Sequence, residues 1–216
     1  MKNNITEIVC ILDRSGSMAG LEGDVIGGFN TTINDQKEKE GKAFISTILF
    51  SNHSEVLHDR LPIEEVEELG RGDYRVFGVT ALYDAIGDAI RHISNVHKYI
   101  RPEDVPEKTV FVITTDGMEN ASRRYSYDDV QQLVRESRER CGWEFLFLGA
   151  NMDAIGTARR FGISENRAVR YECDSAGTAL NFKVVSETIG SFRKCATISD
   201  DWCAPIAQDY RERGKK

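Results

Sequence analysis

Long apolar runs are missing from this chain of 216 residues. No stretch approaches the roughly 20 apolar residues that a membrane-spanning helix needs. The apolar run nearest the N-terminus, IVCIL at residues 8–12, is shorter than the core of a signal peptide. The sequence therefore predicts neither a membrane contact nor secretion, and we expect a cytoplasmic protein.

Cysteine and histidine patterns that typically bind zinc are also missing. The five cysteines are an odd number without a C-x-x-C pair, which fits reduced thiols better than a disulfide framework. His53 and His58, like His92 and His97, are five positions apart, so neither pair shares a face of a helix or strand. The sequence thus argues against zinc.

An excess of positive charge is missing, because 35 Asp and Glu residues outnumber 28 Lys and Arg residues and give a formal net charge of -7. The two basic clusters, at residues 123–124 and 211–216, are too small to form a basic face. We interpret both as solvated surface and expect no nucleic-acid partner.

Short apolar runs rich in β-branched and aromatic residues are present instead. Runs of this kind are typical of strands buried on both faces, as in a parallel sheet covered by helices. A more polar segment, residues 54–61, predicts an antiparallel partner at the sheet edge. The predicted inner strands are residues 8–12, 44–50, 110–114, 145–148 and 168–171.

Between these runs, apolar residues recur at helical spacing. Alternation of strands and helices predicts a Rossmann-like, doubly wound, mostly parallel α/β sheet with helices on both faces and one antiparallel edge strand. The length favours a single domain, which we place at residues 1–198, followed by a tail at 199–216 without a convincing period. The predicted helices are residues 21–33, 82–100, 130–141, 154–161 and 179–192.

Oxygen-bearing side chains follow the predicted strands where these end. Asp13, Ser15 and Ser17 come directly after the first strand, and Asp116 follows the run at 110–114. Thr80, in GVTALYDAI, begins the long central helix. Loops at the carboxyl ends of parallel strands share one edge of the sheet, where ligands bind.

Two carboxylates and three hydroxyls, without sulfur or imidazole, form a ligand set for a hard cation. Mg²⁺ prefers about six oxygen ligands and keeps several waters, so a shallow edge suits it, and Mn²⁺ accepts similar ligands. Since only two of the five groups are charged, the cation would remain electrophilic, with an open position able to take an oxygen from outside.

These five residues resemble the metal-ion-dependent adhesion site of von Willebrand factor A-type (VWA) domains, in particular stand-alone intracellular domains of bacteria or phages. The resemblance lies in the order of D-x-S-x-S at 13–17, then Thr80, then Asp116. This resemblance covers residues 5–195. It implies the VWA fold, bound Mg²⁺, and a protein partner whose acidic side chain completes the coordination. It also implies that Asp116 acts through water, and it allows an ATPase as a partner.

Simpler roles exist for the same residues. Asp, Ser and Thr are favoured at helix N-termini, so each motif alone fits capping. Further residues at the same edge are candidates for partner contacts, although capping or solvation explains several of them. These candidates are Arg14, Met18, Glu119, Asn120, Asn151 and Asp153.

The alternative function is an Mg²⁺-dependent phosphohydrolase of the haloacid-dehalogenase-like type, which also places an aspartate after its first strand. Such enzymes need a second aspartate two positions later as acid and base, where this chain has Ser15. No glycine-rich phosphate-binding motif follows a strand. We therefore expect a binding module without catalytic residues.

Overall fold

The computed structural model describes residues 4–150 and 153–213. Their six strands form one sheet in the order β3-β2-β1-β4-β5-β6, with all neighbours parallel except β2 and β3. The predicted mostly parallel sheet with one antiparallel edge strand is confirmed. The strands are β1 (Ile5–Asp13), β2 (Lys42–Phe50), β3 (Ser54–Pro62), β4 (Lys108–Thr115), β5 (Glu144–Gly149) and β6 (Ala168–Arg170).

Helices cover both faces of the sheet. Helices α1, α5 and α6 pack on one face, and α2, α3 and α4 pack on the other. The described helices are α1 (Glu22–Lys37), α2 (Leu82–Tyr99), α3 (Tyr127–Cys141), α4 (Ala154–Arg160), α5 (Ser175–Cys195) and α6 (Ala204–Arg213).

Alternation of side chains along the inner strands builds the two cores. In β1, Ile8 and Cys10 face the core under α1 and α5, whereas Val9 and Ile11 face the core under α2. All nine residues of β1 are buried. Strands with both faces covered need apolar residues at nearly every position, which explains the unbroken runs in the sequence.

Close packing of α1 against α5 depends on a glycine. A Cβ atom at Gly28 would lie 2.2 Å from Cδ2 of Phe182 in α5. The helix thus tolerates glycine in its middle because the aromatic ring occupies the space that a side chain would need.

The segment after Ser199, in which the sequence shows no convincing period, contains helix α6. Trp202 and Ile206 from this segment are buried in the core shared with α5. The domain boundary at residue 198 remains a prediction. Among the described residues, no helix has the length and apolarity that crossing a membrane requires.

Candidate metal centre

Asp13 ends β1 beside β4, at the carboxyl edge of the sheet. Its Oδ1 accepts a 2.7 Å hydrogen bond from the backbone N–H of Ser15, and its Oδ2 accepts a 2.6 Å hydrogen bond from the Thr115 hydroxyl. Tyr74 donates its hydroxyl to the Asp13 carbonyl at 2.5 Å. Three donors from separate segments therefore hold this buried residue in one orientation.

A chain of polar contacts connects the first motif with Asp116. The hydroxyl oxygens of Ser15 and Ser17 are 3.1 Å apart, and Ser17 donates to Oδ1 of Asp116 at 2.6 Å. Gly16–Met18 forms a short 3-10 turn, from which the Ser17 side chain reaches Asp116 after β4. The structure thus brings together residues that are 99 positions apart in sequence.

Thr80 joins the same cluster from the segment before α2. A Cβ atom at Gly117 would lie 2.9 Å from Oγ1 of Thr80 and 3.5 Å from Oγ of Ser17. Glycine at this position therefore leaves room for both hydroxyls beside Asp116. All five residues predicted as metal ligands occupy one small region of the edge.

Burial raises the pKa of both carboxyls in the cluster. For Asp13, the hydrogen bonds from Thr115 and Ser15 oppose this effect, and the nearby charge of Asp116 adds to it. For Asp116, the hydrogen bonds from Ser17 and Cys173 oppose the rise in pKa caused by burial. Within residues 4–150 and 153–213, neither carboxylate forms an ion pair with Lys or Arg. The cluster is thus a site where a cation would relieve electrostatic repulsion.

A thiol lies at the cluster, which the sequence did not indicate. Cys173 follows β6, and its Sγ is 3.7 Å from Oδ2 of Asp116. Burial and the charge of Asp116 raise the pKa of this thiol to about 12, so it is the hydrogen-bond donor in this contact. The five predicted ligands themselves contain no sulfur, and Cys173 is an additional neighbour of one of them. Cys173 is the third residue after the short strand β6, and only the order of strands brings it beside Asp116.

Arg14 and Met18 are held inside the protein rather than presented to a partner. Arg14 is 5% exposed, pairs with Glu55 at 2.6 Å and lies over the ring of Phe77 at 5.0 Å. Met18 is 2% exposed and belongs to the core under α1. Both side chains have structural contacts that sequence analysis missed, and neither offers a surface to a partner in this conformation.

Glu119 and Asn120 attach the loop after β4 to the start of α2. The Glu119 carboxylate accepts a 2.9 Å hydrogen bond from the backbone N–H of Tyr83, in the first turn of α2. The Asn120 side chain accepts from the backbone N–H of Thr80 at 2.9 Å. Asn120 therefore positions Thr80 directly, whereas Glu119 holds the first turn of the helix that follows it. The role of both residues as partner contacts remains a prediction.

Asp153 caps helix α4, as its sequence position suggests. Its Oδ1 accepts a 2.9 Å hydrogen bond from the backbone N–H of Gly156. A contact between Asp153 and a partner remains a prediction. Asn151, the remaining candidate, lies outside the described residues.

No protein-family model matches the chain. None of the curated proteins matches it either. Similarity appears among solved structures. The vWF domain of the type V pili tip protein Mfa5 from Porphyromonas gingivalis is 11% identical, with a TM-score of 0.63 over 90% of this chain and 98% of that chain.

Two other structures are similar over much of this chain. One is the proximal thread matrix protein 1 from the mussel byssus, solved with a zinc-occupied MIDAS motif. It is 15% identical with a TM-score of 0.57, and the match covers 86% of this chain and 46% of that chain. The von Willebrand factor type A protein from Catenulispora acidiphila is 16% identical with a TM-score of 0.55, over 85% of this chain and 42% of that chain.

The chain has the von Willebrand factor A fold. It spans about half the length of the mussel protein and 62% of the Streptococcus sanguinis minor pilin PilB, which is also similar. At these identities, the comparisons establish the VWA fold of the chain and not its activity.

Proposed function

We propose that this VWA-fold protein binds a divalent cation, Mg²⁺ or Mn²⁺, at the carboxyl edge of its sheet. The residues that would hold the cation are Asp13, Ser15, Ser17, Thr80 and Asp116. When bound, the cation would supply an open coordination position for an acidic side chain of a protein partner. The protein would then act as a metal-dependent interaction module and not as an enzyme.

The observation that carries this proposal is the pair of carboxylates, Asp13 and Asp116, which are each 2% exposed without a Lys or Arg partner among the described residues. Uncompensated charge in a buried position is costly, and a divalent cation would neutralise both groups. Within the described ranges, no group of three or more His, Cys, Asp and Glu side chains is arranged to hold a metal ion. A cation at this edge therefore needs the hydroxyls as well.

The spacing of the hydroxyls supports the same assignment. Octahedral Mg²⁺ with ligands at 2.0 to 2.1 Å places adjacent ligands about 2.9 Å apart. Ser15 Oγ and Ser17 Oγ are 3.1 Å apart, close to that separation. The serines thus fit neighbouring positions around a small cation, and the similar mussel structure with zinc in its motif adds support for a divalent ion.

The surface around the cluster supports a protein partner. Of the six large apolar side chains that are exposed among the described residues, four lie in the loops or first helical turns at this edge. Exposed apolar residues near one another are characteristic of interaction sites. The four are Phe77, Val79, Met118 and Ile155. Similar structures include pilus and matrix proteins, whereas an ATPase partner and a cytoplasmic location remain predictions.

Titration with Mg²⁺ and with Mn²⁺, followed by calorimetry and thermal unfolding, tests the metal site. Either cation should raise the melting temperature, because the unfolded chain has no assembled site. Asp13→Asn should abolish this shift, since the amide keeps the size of the side chain while removing one of two charges. Asp153→Asn is the matched control, because Asn caps a helix as well as Asp does.

Absence of both heat and thermal shift in the wild type would contradict the proposed site. An equal shift in the wild type and Asp13→Asn would place the cation elsewhere. The phosphohydrolase alternative is tested in the same samples, where we expect no Mg²⁺-dependent release of phosphate from a phosphomonoester.

A further inference from the structure

A cleft lies beside the proposed metal ligands. Its lining includes the buried side chains of Leu82 and Phe161 and the exposed side chain of Met118. Leu82 is two residues after Thr80, and Met118 is two residues after Asp116. Because two residues span at most about 7 Å of backbone, the cleft begins within that distance of two candidate ligands.

Aromatic rings line the cleft and are held in place. The rings of Tyr83 and Phe161 meet edge to face with their centroids 5.6 Å apart, and Tyr127 is tilted against Phe161 at 6.3 Å. The Tyr127 hydroxyl donates to the Arg160 carbonyl at 2.5 Å, which joins the start of α3 to the end of α4. The cleft is therefore formed before a ligand arrives, and an incoming ring would find aromatic neighbours.

The size of the cleft suits one side chain. Its volume is about 210 Å³. Sites for drug-sized molecules measure about 300 to 1,000 Å³, so such a molecule would not fit inside. The rings in the lining favour an aromatic occupant, and the flexible side chain of Met118 can adapt to its shape.

The charge that borders the cleft is positive. Arg160 lines it, and no carboxylate in the described part of the chain forms an ion pair with its guanidinium, whose Nε donates to the Gly156 carbonyl at 3.4 Å. Glu119 lines it too, but its oxygens accept from the backbone N–H groups of Ser122 at 2.7 Å and Tyr83 at 2.9 Å. The cleft therefore complements an acidic partner.

We propose that the cleft takes an aromatic side chain from an extended, acidic segment of the partner, two positions away from the carboxylate that binds the cation. Alternate side chains of an extended chain face the same way and are about 6.6 Å apart, which matches the separation between the ligands and the cleft. Arg160 attracts the acidic segment to this side of the edge. The inference rests on the proposed function, because the cation supplies one of the two contacts.

Random nine-residue peptides displayed on phage are the probe. They are selected on the full chain in Mg²⁺ and eluted with EDTA. The enriched peptides should contain Asp or Glu and, two positions away on either side, Phe, Tyr or Trp. Selection on Tyr83→Ala should keep the preference for an acidic residue and lose the preference for an aromatic one. Tyr99→Ala is the matched control, because this exposed tyrosine lies at the other end of α2.

A synthetic copy of the most enriched peptide gives the affinities. With alanine in place of its aromatic residue, it should bind the wild type at least about tenfold more weakly. Arg160→Gln should weaken binding about threefold and make it less sensitive to salt. Arg159→Gln is the matched control, because this neighbouring arginine pairs with Glu165 and does not line the cleft. Mg²⁺ affinity should stay within about twofold in all variants, since none changes a candidate ligand.

Enrichment of acidic peptides without an aromatic residue at this spacing would overturn the inference. Equal affinities of the peptide and its alanine form would also overturn it, and this comparison uses only the wild-type protein. Absence of any peptide that needs Mg²⁺ would exclude an extended segment as the partner. Failure of the proposed function gives a different result, in which calorimetry detects no Mg²⁺ or Mn²⁺ binding to the wild type. Mg²⁺ binding without the aromatic preference would reject only the role of the cleft.

Discussion

The Thr115 hydroxyl donates a 2.6 Å hydrogen bond to Oδ2 of Asp13 and thereby joins the end of β4 to the end of β1. The two residues are 102 positions apart in sequence, and the parallel pairing of their strands places them side by side. Thr115 immediately precedes Asp116. One strand end therefore supplies both a candidate ligand and the residue that orients another.

Thr115→Val should weaken metal binding without unfolding the protein. Valine keeps the branched shape but leaves Oδ2 of Asp13 without its donor, and loss of such an orienting hydrogen bond typically costs 10- to 100-fold in metal affinity. Calorimetric titration with Mn²⁺ measures the effect. Thr115→Ser retains the hydroxyl and should bind within about threefold of the wild type. Equal affinity in the valine variant and the wild type would show that Asp13 needs no such orientation.

Gly117→Ala should weaken metal binding through steric contact. The added methyl group would lie 2.9 Å from Thr80 Oγ1, so the hydroxyl must shift from its present position in the cluster. We expect a loss of about tenfold in Mn²⁺ affinity. Gly23→Ala in α1 is the control, because nothing lies within 4 Å of its added Cβ. Unchanged affinity in Gly117→Ala would remove Thr80 from the site.

Adjacent glycines in α1 should respond in opposite directions to alanine. Gly27→Ala meets nothing within 4 Å and should stabilise the protein by about 0.4 to 1 kcal/mol through lower entropy of the unfolded chain. Gly28→Ala would contact Phe182 at 2.2 Å and should destabilise it by about 1 to 3 kcal/mol. Urea unfolding of both variants measures the difference. Stabilisation by both substitutions would contradict the close packing of α1 and α5.

Stability should fall as pH decreases below about 6.5, in part because of His58. Burial lowers the pKa of this imidazole in the folded protein, although the charge of Asp73 opposes the shift. Between the lowered folded pKa and the unfolded pKa, the unfolded chain binds a proton that the folded protein does not, so the free energy of unfolding decreases as pH falls through this window.

His58→Gln should therefore give a shallower decrease in stability between pH 7 and pH 5 than the wild type. Glutamine can retain a polar contact with Thr47, whose hydroxyl is 3.0 Å from Nδ1 of His58. Urea unfolding at several pH values measures both slopes. Identical slopes would show that His58 titrates alike in the folded and unfolded states.

Partner binding should require both the cation and Asp13. We expect a captured partner to bind in Mg²⁺, and to lose at least about tenfold in affinity in EDTA and with Asp13→Asn. Phe77→Ser, at the exposed edge, should weaken binding of the partner while leaving the affinity for Mg²⁺ unchanged. The same dissociation constant under all these conditions would place the partner surface elsewhere.

The sequence alone determined the alternation of strands and helices and the residues of the metal motif. Strands buried on both faces produce apolar runs, and amphipathic helices produce a period of 3.6, so both are visible in local patterns. The five oxygen-bearing residues could be predicted because each follows a strand or shortly precedes a helix. Parallel strands then place such positions at one edge.

Tertiary structure decided what surrounds those residues. Cys173 lies beside Asp116, and Arg14 and Met18 are buried, because neighbouring strands and long loops converge at this edge. Trp202 joins the core through packing that leaves no periodic pattern in its own segment. Local periodicity indicates which side of a helix or strand is buried. Contacts between side chains more than 50 positions apart depend on the order of the strands and the paths of the loops, and no short stretch of sequence encodes these.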